Sequence, residues 1–179
     1  MELSRAALIV GGVVMAGTYV PFTLTHGPTS INIEHEILGW DMHDWGFLMG
    51  TVPYLLISAG LWRLRGLIAG ARPGLVVMCV VMVLFAAMNV PFRAIGPPFD
   101  LFLLAPASVI VAATTPLRGA ARTVLIALAA AYCCATALTL IPLETSDGFG
   151  GYRIFGLIAY AGVGVLWALF GAVSGERDR

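Results

Sequence analysis

Lysine is missing from this chain: all ten basic residues are arginine. A GC-rich genome is enough to account for that, and no mechanism rests on it. Charge of either sign is scarce, at 11% of residues, against ~25% in a typical soluble domain. The formal net charge is zero, so nothing here attracts a polyphosphate backbone, and nucleic acid is excluded as a partner. Cysteine is rare too. Cys79, Cys133 and Cys134 all fall inside apolar runs, which argues against a disulfide framework and for buried thiols acting as small hydrophobes. Nucleophile systems are absent as well. No Gly-x-Ser-x-Gly occurs, no serine stands beside a histidine in an apolar run, and no Cys–His pair shares a depth. Membrane proteolysis and ordinary lipid hydrolysis are thereby disfavoured. No apolar run holds a histidine, which excludes haem held by paired intrahelical histidines.

Apolar sequence is what remains. Hydrophobic residues make up 59% of the chain, and the mean hydropathy is +0.92. A soluble fold of 179 residues cannot hide that much apolar surface from water, so the fold class is an all-α integral membrane bundle. Six windows supply the ~20 apolar residues a spanning helix requires: 6–25, 45–62, 74–92, 99–117, 123–142 and 152–174. The first reads as an uncleaved helix rather than a signal peptide, because Arg5 is offset by Glu2 and no small-x-small cleavage site follows. Pro53 and Pro106 are expected to kink the second and fourth helices.

Arginine placement predicts orientation. Arg5, Arg63, Arg65, Arg72, Arg118, Arg122, Arg177 and Arg179 fall on one side of the windows. Arg93 and Arg153 fall on the other, with Glu34, Glu36, Asp41, Asp44, Asp100, Glu144, Asp147 and all three histidines. Both termini are therefore expected in the cytoplasm, in a multi-pass protein of a bacterial plasma membrane. Helices one, three and five each end in a related tetrapeptide: Tyr19-Val20-Pro21-Phe22, Asn89-Val90-Pro91-Phe92 and Leu140-Ile141-Pro142-Leu143. That pattern reads either as one helical hairpin used three times in the same orientation, or as chance recurrence of proline at helix ends.

The outer loop, 26–44, is the informative segment. It mixes His26, His35 and His43 with Glu34, Glu36, Asp41 and Asp44, and it carries Trp40 just before Trp45. A helix over 34–45 would put Glu34, Leu38, Asp41 and Trp45 on one face and hold its tryptophans at headgroup depth. Three readings compete. In the first, Asp41, Asp44, Glu34 and Glu36 are acids and bases for a lipid-soluble substrate, paired with Arg93 and Asn89 at the mouth of the bundle. Trp40, Trp45, Tyr19, Phe22, Tyr54 and Phe92 would line the pocket and stabilise cationic character. Such chemistry resembles, in kind, that of membrane-bound terpene cyclases and isomerases, and it needs no cofactor; no family motif carries residue roles across. In the second, His26, His35 and His43 converge on a divalent metal such as zinc or copper. The zinc motif His-Glu-x-x-His is not met, because Gly39 stands where its second histidine belongs. In the third, the chain is an accessory subunit without chemistry, and the loop is a hydrated acidic segment with an aromatic belt. Membrane lipid is a partner in all three, and the small-residue helix faces are compatible with a homo-oligomer. One domain, 1–179, is expected.

Overall fold

The computed structural model describes residues 2–25, 35–65, 69–92, 99–141 and 150–174. Among them the chain is helical, with one isolated bridge between Ile37 and Trp40 and no named strand. The helices are α1 (Glu2–Thr25), α2 (Met42–Leu64), α3 (Arg72–Phe92), α4 (Leu101–Thr114), α5 (Gly119–Thr139), α6 (Gly150–Gly156) and α7 (Val163–Val173). A short 3-10 turn, Ala69–Ala71, leads into α3, and a π-helical segment, Leu157–Gly162, joins α6 to α7 into one rod.

Each helix packs against the next, and the last packs against the first, so the bundle is a closed ring. Neighbours run antiparallel. Cys79 Sγ of α3 donates to Ser58 O of α2, and Asn89 Nδ2 of α3 donates to Gly50 O. Thr136 Oγ1 of α5 donates to Leu101 O of α4. The seam between α1 and α7 is close enough to need glycine. A Cβ on Gly12 would strike Gly164 O and Ala168 N, and one on Gly164 would strike Ala16 N at 2.7 Å. At one end of this seam Arg5 donates to Gly171 O and Ala172 O at 3.0 and 2.7 Å, satisfying carbonyls that α7 leaves open.

Five of the rods are long and apolar enough to cross a membrane. Their outward faces agree with that: Val80, Val83, Leu84 and Met88 of α3 are exposed, an arrangement that water disfavours and hydrocarbon tolerates. Cys133 and Cys134 also lie exposed on α5, while Cys79 is buried. The expectation that all three thiols are buried is therefore corrected. In a membrane bundle apolar residues face outward as well as inward.

The fourth window departs most from expectation. Where 99–117 was predicted, α4 has 14 residues, about 21 Å at 1.5 Å per residue, short of a ~30 Å hydrocarbon core. Pro116 ends it by pushing Thr115 into an extended conformation (φ −65°, ψ 137°). Thr115 Oγ1 then accepts from Leu117 N at 3.2 Å.

Candidate functional site

The described part of the outer loop before Met42 is a turn rather than the helix considered over 34–45; only its last residues, 42–45, are helical, as the start of α2. Ile37 N donates to Trp40 O at 2.9 Å and Trp40 N to Ile37 O at 3.1 Å. Between them Leu38 and Gly39 have φ of 59° and 76°. Two left-handed residues in sequence are the geometry of a tight reversal; Gly39 adopts it freely, and Leu38 does so at a steric cost. Asp41 follows in an extended conformation (φ −87°, ψ −175°) and caps α2, its carboxylate accepting from His43 N at 2.7 Å and Asp44 N at 3.0 Å. A cap of this kind is worth ~1 kcal/mol. Leu38, Asp41 and Trp45 do not share one helical face, because the turn at Leu38 and Gly39 and the Asp41 cap precede the first residue of α2.

This folding gathers part of the expected mouth. Trp40 and Trp45 stack with centroids 5.0 Å apart, and Trp45 Nε1 donates to Ile37 O at 3.3 Å. Asp44 lies in the first turn of α2. His35, Glu36 and His43 are exposed. Among the described residues no three His, Cys, Asp or Glu side chains stand together to hold a metal. His26, Glu34 and Arg93 lie outside the described residues. Phe92 points outward, 76% exposed, and Phe22 packs half-buried against the core. Tyr19 is tied to the last rod, its hydroxyl donating to Arg153 O at 2.6 Å.

The remaining two candidates, Tyr54 and Asn89, lead into the bundle. Tyr54 is twelve residues past Met42, about 18 Å along α2. Its hydroxyl is 2.6 Å from Oδ2 of Asp100, and both residues are buried. Asp100 stands at the N-cap position of α4, yet its side chain makes no capping bond; it turns inward to the phenol instead. Asp41 and Asp100 thus hold equivalent places before two helices and are used differently. The sequence reading placed Asp100 on the outer side, with the acids of the loops. The structure corrects this: α4 is short, so its leading acid sits level with the middle of α2.

Several aromatic residues are buried in the same bundle as that acid. Tyr54 packs on Phe85 at 5.8 Å. Tyr132 and Tyr160 are buried in the same core. Tyr132 accepts from Trp167 Nε1 at 3.0 Å, deep in the core. Tyr160 rides on the π-helical segment, a departure from α geometry that is frequent at functional sites. One turn before Tyr54 on α2, Gly50 O accepts from the buried Asn89 Nδ2 of α3 at 3.2 Å. Thr51 Oγ1 is buried there without a partner among the described residues. Asp100, Tyr132, Tyr160 and Trp167 escaped the sequence reading as site residues. One signal was available: Asp100 falls inside the window 99–117, so an acid stood within an apolar run. No family model, curated protein or solved structure matches this chain.

Proposed function

We propose that the protein is a six-crossing membrane enzyme, with both termini cytoplasmic, that performs acid–base chemistry on a lipid-soluble substrate at the Asp100–Tyr54 pair. The observation that carries this reading is the 2.6 Å contact between a buried carboxyl and a buried phenol in the midst of an apolar bundle. Acids at that depth are costly, and they typically mark a pathway or a reaction site. In its protonated form Asp100 gives its proton to a carbon–carbon double bond of the substrate. The carboxylate, held by the Tyr54 hydroxyl, takes a proton back from the adjacent carbon. The double bond moves, or a ring closes, with no net change of atoms and no cofactor. The π system of a buried aromatic such as Phe85, packed on Tyr54 at 5.8 Å, would stabilise the cationic intermediate.

The chemistry is tested in membranes of cells making the full chain. Lipid extracts with wild-type protein should contain a converted isoprenoid-type lipid that is absent with Asp100→Asn. Asp41→Asn, which preserves a good cap, should convert normally. Equal extracts from wild-type and Asp100→Asn cells would sink the reading; loss with Asp41→Asn alone would return the chemistry to the mouth.

The crossing number rests on α4 counting as a span with its flanking segments, and the direction on the arginine asymmetry. A reporter fused after Arg179 is expected to be active only when it needs the cytoplasm. Activity of a periplasm-dependent reporter at that position would reverse the assignment.

A further inference from the structure

A groove of about 400 Å³ runs between α2 and α3 on the outside of the ring, lined by Leu55, Ala59, Trp62, Val80, Val83 and Leu84. From Leu55 to Trp62 it follows α2 for about 10 Å. The antiparallel register set by Cys79–Ser58 and Asn89–Gly50 brings Arg65, just past Trp62, level with Arg72 at the start of α3. The apolar groove therefore ends at a group of exposed arginines, Arg63, Arg65 and Arg72. Arg65 stacks on the Trp62 ring at 4.8 Å and donates to Trp62 O at 3.2 Å. Those contacts hold the guanidinium beside a ring that lines the groove, and they use one of its five N–H donors on Trp62 O.

We propose that this groove holds one acyl chain of an anionic phospholipid, with the phosphate seated on Arg65 and Arg72. The length and direction suit a chain running from headgroup depth toward the middle of the bilayer, and tryptophan at the boundary fits an interfacial belt. Charge decides between this occupant and a second copy of the protein. A symmetric contact through the same groove would set three arginines against three. The comparable groove between α1 and α7, lined by Gly12, Ala16 and Val165 among others, has no such group of arginines beside it among the described residues: Arg5 stands alone there, held by the Gly171 and Ala172 carbonyls.

The test uses the full chain in nanodiscs of equal phosphatidylglycerol and phosphatidylethanolamine, with retained lipid read by native mass spectrometry. Wild-type protein should hold one phosphatidylglycerol in preference to phosphatidylethanolamine. Arg65→Gln with Arg72→Gln, both at exposed positions, should weaken that preference by roughly fivefold per arginine. Ala59→Trp, which fills the groove from an exposed position, should remove the retained lipid whatever its headgroup. Equal retention of both lipids by wild-type protein would overturn the proposal, as would a preference unchanged in the arginine variant. Lipid still retained by a folded Ala59→Trp protein would also overturn it. Should Ala59→Trp not fold, the arginine variant decides alone.

Discussion

Tyr54→Phe is expected to destabilise the bundle by about 1–3 kcal/mol, because it leaves the buried Asp100 carboxyl without its donor. Asp100→Leu should cost a similar amount by stranding the Tyr54 hydroxyl. The double variant should recover most of the loss, since two apolar groups of suitable size leave nothing unsatisfied. The expected coupling is therefore large, at least about 2 kcal/mol, at the upper end of the range found for groups in direct contact. Unfolding of the four proteins by graded denaturing detergent in mixed micelles measures it. Additive losses would mean that the 2.6 Å contact does not link the two groups energetically. The double variant also separates stability from chemistry: it should be well folded and wholly inactive in lipid conversion. An active double variant would place the chemistry elsewhere.

Gly12→Ala should open the ring where it closes. The new methyl would press on the backbone of Gly164 and Ala168, and backbone cannot rotate away as the end of a side chain can. The cost is expected at about 1–3 kcal/mol, with the α1–α7 seam loosening first. Gly17→Ala on the same helix is the matched control: a Cβ there meets nothing within 4 Å. It should be neutral within about 0.5 kcal/mol, or slightly stabilising through helix propensity. Thermal unfolding in one detergent compares the two. Equal effects would show that the seam is not tightly packed in the membrane-like state.

The helices were legible because a membrane span is a one-dimensional property. Its length and apolarity are written locally, and α1, α2, α3 and α5 begin and end within about four residues of their windows. The outer loop was only partly legible. Its composition marked Trp40, Trp45, Asp41 and Asp44 as unusual, but a helical projection assumed a continuous helix. The left-handed pair Leu38 and Gly39 and the Asp41 cap interrupt that path; Gly39 and Asp41 follow local preference, whereas Leu38 is held there against its own. Gly39 was the visible clue, since glycine accepts the left-handed conformation at no steric cost.

Composition and periodicity alone determined that the chain is built of apolar helices suited to a membrane, because partitioning into hydrocarbon depends on each segment separately. Depth and neighbourhood depended on the tertiary structure. Asp100 reads as a loop residue until the short α4 and the ring of antiparallel neighbours bring it against Tyr54, 46 positions away in sequence. Likewise Tyr132 and Trp167 are ordinary aromatic residues of two separate spans until α5 and the last rod pack side by side. A buried polar cluster is assembled from groups far apart along the chain, and only packing states which of them meet.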